Sequence, residues 1–140
     1  MKIRIFLLIL ILAGVSCKKN RTHPVPSIAF DFSIDMTLPS YQDLNSVGGW
    51  AYVAGGIKGI IVYRQSTDVF VAWERMSPED PDNVCATGLT PDSTNYLQLY
   101  DPCSSARFSM YDGSPIANSG WGLRKYQALW NGSNLLRIYN

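Results

Sequence analysis

Histidine is almost missing from this sequence. His23 is the only one in 140 residues. A single imidazole excludes any metal cage or catalytic relay that needs two. Cysteine is scarce as well, with only Cys17, Cys85 and Cys103. Neither sign of charge dominates: 12 Lys and Arg face 11 Asp and Glu, a net charge of +1. No basic stripe argues for nucleic acid, and no acidic tail argues for a solvating segment. Apolar residues nowhere recur at i, i+3, i+4 and i+7 for three turns, so the chain lacks the mark of an amphipathic helix. "AGGIKG" lacks the glycine spacing of a nucleotide loop and no helix follows it. Its glycines read as a strand bend. There is no internal repeat and no low-complexity tract.

One apolar run is present, at the N-terminus. "MKIRIFLLILILAGVSC" opens with Lys2 and Arg4, runs apolar from Ile5 to Leu12, and passes through Ala13, Gly14, Val15 and Ser16 to Cys17. The run is short for a membrane span and reads as a secretory signal over residues 1–16. A cysteine directly after small residues resembles the lipobox of bacterial lipoproteins, although Gly14 stands where leucine is usual. That resemblance implies cleavage before Cys17, its acylation, and a cell-envelope protein held on a membrane from the extracytoplasmic side. The alternative is an ordinary signal cut nearby. Several acyl chains would anchor stably, since each buried methylene contributes roughly 0.8 kcal/mol. Cleavage would remove Lys2 and Arg4, leaving ten basic residues against 11 acidic ones, a net charge of −1. Residues 17–26 then read as the lipidated cysteine and a polar linker stiffened by Pro24 and Pro26, with His23 exposed in it.

From residue 27 onward the pattern is β. "SIAFDFSID" alternates apolar and polar residues with period two. "GWAYVAGG", "GIIVYRQ" and "VFVAWER" are rich in β-branched and aromatic residues, with "QSTD" as a turn between the last two. "NYLQLYD", "RFSMYDG", "KYQALW" and "LLRIYN" follow, and the Asn-Gly in "NGS" between the last two is a strong hairpin signal. "LPSYQDLNS" has room for one helical turn. This predicts a single all-β domain over residues 27–140, a sandwich or barrel of about eight to ten short strands. Most of the four tryptophans and eight tyrosines read as core and cross-strand pairs. Trp121, between Gly120 and Gly122, is the candidate for an exposed binding patch.

"MSPEDPDNVCATGLTPDSTN" interrupts the pattern with three prolines and little apolar content, and ordered loops of that length are usually functional or constrained. Beyond the next strand comes "DPCSSARF". Together these resemble the Rieske iron–sulfur domain, an antiparallel β fold with two cluster-binding loops. Pro102, Arg107 and Phe108 fall where that family has proline, a frequent arginine and an aromatic. "YDGSPIANSGWGLRKYQALWNGSNLLRIYN" follows its closing pattern. The resemblance is nearest to small bacterial lipoproteins of that family. It implies that Cys85 and Cys103 occupy the two extra cysteine positions that pair in a disulfide; two free thiols are the alternative.

The same mapping puts the ligand positions at Ser77 and Glu79 in the first loop, and at Asp101 and Ser104 in the second. A Rieske centre takes two thiolates and two imidazoles, and none of the four is present. The resemblance thus implies the fold without its 2Fe-2S cofactor, and no catalytic residue. The functional expectation is a cluster-less, non-enzymatic binding or assembly module with a membrane and an unidentified protein as partners, and no nucleic acid. Two alternatives remain at this point. One is a true 2Fe-2S electron carrier. The other is a hard-cation derivative using oxygens from Ser77, Glu79, Asp80, Asp82, Asp92 and Asp101. The anchor is testable first: Cys17→Ala should move the protein from the membrane to the soluble fraction on ultracentrifugation, and continued sedimentation with membranes would refute the acylation.

Overall fold

The structure is a computed structural model that describes residues 21–140. The signal, Cys17 and residues 18–20 lie outside the described residues. Ten strands and one 3-10 helix follow in order: β1 (Asp31–Asp35), the helix (Pro39–Asn45), β2 (Trp50–Val53), β3 (Ile60–Arg64), β4 (Phe70–Glu74), β5 (Thr90–Pro91), β6 (Gln98–Tyr100), β7 (Arg107–Ser109), β8 (Pro115–Ala117), β9 (Lys125–Trp130) and β10 (Leu135–Tyr139). They form a curled six-stranded sheet, ordered β1-β10-β9-β4-β3-β2, and a four-stranded sheet, β5-β6-β7-β8. The pairings are antiparallel. The all-β expectation holds. The helix is longer than the single turn expected at "LPSYQDLNS".

The β3–β4 hairpin organises the rest. All ten of its strand residues are buried. Ile60, Val62, Phe70 and Ala72 point into one core with Leu44, Tyr126, Leu136 and Ile138. Ile61, Tyr63, Val71 and Trp73 point the other way, into a second core with Leu99, Phe108 and Met110 from the small sheet. This is why "GIIVYR" and "VFVAWER" read as nearly continuous apolar runs: a strand covered on both faces has no solvent side to mark with polar residues. The small sheet is the cover for that second face. Trp73 seals the join by donating its indole N–H to the Met110 carbonyl at 2.8 Å.

At the end of β4 lies Glu74, fully buried. Its Oε2 accepts from the Ile57 amide at 2.7 Å and the Tyr126 hydroxyl at 2.7 Å. Its Oε1 accepts from the Lys58 amide at 2.9 Å and the Met76 amide at 2.8 Å. A buried carboxylate is tolerated only when so saturated. The acceptors hold the β2–β3 turn in place, and Gly56, at φ 64°, is part of that arrangement. A Cβ there would collide with the Glu74 carboxylate, so the glycine is required by contact as well as by backbone. The bend expected at "AGGIKG" is therefore a turn pinned by a carboxylate from the neighbouring strand, a partner the sequence pattern did not reveal.

Residues 23–26 correct the predicted linker boundary. Val25 is fully buried, and its carbonyl accepts from Arg124 Nε at 2.7 Å. His23 is half-buried rather than exposed: its Nε2 lies 3.0 Å from the Gly122 carbonyl, and its ring meets Trp121 edge-on. An X-Pro-Val-Pro segment has little conformational entropy to lose, which favours docking it over leaving it solvated. Among the described residues no helix is long and apolar enough to cross a membrane.

Burial, and then the bond to Glu74, push the Tyr126 phenol well above its ordinary value. A proton held more tightly in the folded state stabilises the fold fully below the unfolded pKa of about 10, and that stabilisation is lost as pH rises further. Tyr126→Phe should therefore cost about 1.5–3 kcal/mol at neutral pH, the worth of a hydrogen bond to a charged group. The variant should also lose stability less steeply above pH 10 than the wild type. Urea melts at neutral and alkaline pH check both, and parallel losses in the two proteins would contradict the assignment.

Candidate functional site

Two loops meet at one end of the molecule. The first, residues 75–89, joins β4 to β5. The second, residues 101–106, joins β6 to β7. The first is long because the chain must leave the large sheet and enter the small one. Its base is closed by Leu89, whose amide donates to the Arg75 carbonyl at 2.7 Å, while Arg75 Nε donates to the Leu89 carbonyl at 2.9 Å. The second loop is a tight hairpin connection. The Asp101 amide donates to the Ala106 carbonyl and the Ser105 amide to the Asp101 carbonyl, both at 2.9 Å. Ser105 sits at φ 61°.

A disulfide between Cys85 and Cys103 ties the loops, with Cα atoms 6.1 Å apart. This is the pairing implied by the resemblance. Lys58 reinforces it from the β2–β3 turn, donating to the Cys85 carbonyl and pairing with Asp80 at 3.0 Å. Asp80 also accepts from the Val84 amide at 2.8 Å and the Cys85 amide at 3.0 Å. Burial acts to raise the Asp80 pKa, but Lys58 and these amides outweigh it and hold the carboxyl below its ordinary value.

Asp101 is the centre of the second loop. It is 1% exposed. Its Oδ1 accepts from the Cys103 amide at 2.9 Å, and its Oδ2 from the Ser104 hydroxyl at 2.6 Å. The Ser77 hydroxyl, across the loop junction, also acts to lower the Asp101 pKa, while Ser77 Oγ accepts from the Glu79 amide at 3.2 Å. Burial alone would raise its pKa; the bonds from Ser104, Ser77 and the amides reverse the sign and leave it lowered. Asp101 and Ser104 are thus one hydrogen-bonded pair, with Ser77 facing Asp101 from the first loop. Glu79 is not part of it. It is exposed at the rim, where its Oε1 accepts from the Ser119 hydroxyl at 2.6 Å. Between Glu79, Asp101, Ser104 and the disulfide lies an open cleft of about 290 Å³.

The other candidate oxygen donors are scattered. Asp92 lies on the small sheet, paired with Arg107 and accepting from Thr94. Asp82 is exposed in the first loop. With Asp80 committed to Lys58, the six oxygens considered for a hard cation do not gather around one point. Cys85, Asp101 and Cys103 do bring their ligand atoms within 4.8 Å of one another. In the disulfide, however, neither sulfur is a thiolate, the form that binds metal. Trp121, the candidate for an exposed patch, is half-buried in the loop from residue 118 to 124. Sequence reasoning missed Lys58 and Ser119, which brace the loops from outside; both act through side chains brought in by the fold from distant positions.

No protein-family model matches the chain, and neither does any curated protein.

The disulfide closes a loop 18 residues long, which stabilises by roughly 3 kcal/mol in the chain-entropy account. Replacing both Cys85 and Cys103 with serine should lower the melting temperature by about ten degrees for a domain of this size. Calorimetry of the variant checks this. An unchanged melting temperature would mean that Lys58, Asp80 and Asp101 hold the loops without the bond.

Proposed function

We propose that the protein is a Rieske-like envelope lipoprotein without a cluster, serving as a non-enzymatic binding or assembly module. One observation carries this reading: the two loops marked by the resemblance converge and are bonded together, while their ligand positions hold groups that cannot ligate a 2Fe-2S centre. Such a centre needs two cysteine thiolates and two histidines. Ser77, Glu79, Asp101 and Ser104 supply hydroxyls and carboxylates, which suit hard cations instead. The chain's one histidine is engaged at Gly122. The donor set does not fit the cluster, so no electron-transfer step is assigned.

The same groups do structural work. Asp101 is satisfied by the Ser104 hydroxyl and the Cys103 amide, so this ligand position is filled by hydrogen bonds. A saturated carboxylate with a lowered pKa is a poor proton carrier at neutral pH. No free thiol or imidazole stands beside it among the described residues. A rigid loop end on a tethered domain fits binding better than chemistry. The unidentified partner is a protein, and the near-neutral charge of the chain leaves shape as its means of recognition.

Anaerobically purified protein should carry no stoichiometric iron or acid-labile sulfide and should show no visible absorbance. Metal analysis and an absorption spectrum decide the matter. One 2Fe-2S unit per chain would overturn the proposal and restore the electron-carrier reading.

A further inference from the structure

Resting on the lipid-anchor reading, we propose that the disulfide loop end of the domain lies against the lipid headgroups of the membrane that holds Cys17. The argument starts from where the tether joins the fold. His23 and Val25 are fixed against Gly122 and Arg124, so the chain enters at the loop between β8 and β9 and not at β1. That loop is bonded to both disulfide-linked loops. Ser119 donates to Glu79 at 2.6 Å, and Asn118 donates to the Ser105 carbonyl at 3.1 Å. The tether's root and the cleft therefore belong to one end of the molecule.

Reach then sets orientation. Cys17 precedes His23 by six positions, a span of at most about 20 Å when fully extended. From the same loop, β9 runs six residues away from this end, about 20 Å at the usual strand rise, to the turn before β10. The tether lets the loop end rest on the bilayer at any extension, whereas the β9–β10 turn reaches it only when the tether is fully extended. Surface chemistry agrees. Lys18, Lys19 and Arg21 in the tether favour anionic headgroups by about 1 kcal/mol each. Val84 is 81% exposed on the loop tip. The half-buried Trp121 brings an amphipathic indole of the kind that settles at the membrane–water boundary. Exposed Glu79 and Asp82 oppose deeper entry, so the contact is at headgroup depth. The cleft beside Cys85 and Cys103 then opens toward the bilayer.

The test uses full-length acylated protein in vesicles containing a headgroup-spin-labelled phosphatidylcholine, which quenches nearby tryptophan fluorescence. Wild type should be quenched, Trp121→Phe should lose most of that quenching, and Trp130→Phe, at the far end of β9, should keep it. Quenching that survives Trp121→Phe or disappears in Trp130→Phe would overturn the orientation. So would vesicle-bound protein with no quenching at all, and that result would leave the anchor intact. Protein that fails to float with the vesicles would refute the anchor, and the orientation with it.

Discussion

A hairpin with no solvent face is the constraint on which this structure depends. Once β3 and β4 bury all ten of their strand positions on two sides, each side needs its own cover. The curled sheet and the 3-10 helix supply one, and the small sheet supplies the other. Two cores of this kind are within reach of a chain this short because the hairpin serves both. Fully burying a single Ile or Phe contributes about 1.5–3 kcal/mol, so the shared strands stabilise twice what a one-sided hairpin would.

The polar interior follows from that plan. A strand buried on both faces has nowhere to place a charged end except inside. Glu74 ends β4 there and is answered by three amides and a phenol. Arg64 ends β3 in the same situation. Its guanidinium donates to the carbonyls of Leu44 and Asn45 at the helix end and lies over the rings of Phe70 and Trp130. Both groups convert strand ends into anchors for neighbouring loops. Asp101 repeats the device at the loop junction, with the Ser104 hydroxyl and the Cys103 amide in place of aromatic partners. In each case hydrogen bonds replace the lost hydration, without which a buried charge is costly.

The proposed function uses the end of the fold that these anchors make rigid. There the disulfide, Lys58 and Ser119 each tie a different pair of segments. A surface held from three directions loses little entropy on meeting a partner, which is how preorganisation raises affinity. Docking of His23 and Val25 against Gly122 and Arg124 brings the N-terminal side of the described chain to this same end, the one that the proposed lipid anchor would hold nearest a membrane.

Much was legible from the residues alone. Period-two alternation and the β-branched runs identify an all-β chain, because side-chain direction in a strand is local. The Asn-Gly before β10 marks its hairpin for the same reason: Gly132 needs only its own φ of 80°. The resemblance also pointed to the loops around Ser77 and Asp101, and they are adjacent. Other features were decided only by the tertiary structure. Nothing local to Glu74 announces that it is buried, since its partners at Ile57, Lys58 and Tyr126 arrive from other elements. Docking of His23 and Val25 was likewise hidden, because a polar, proline-rich segment looks the same in sequence whether solvated or packed. Glu79 turns outward to Ser119 instead of joining Asp101, a choice between two hydrogen-bond partners that becomes available only after the chain has folded. Local geometry is encoded residue by residue, whereas the environment of a buried charge is set by groups far away in sequence.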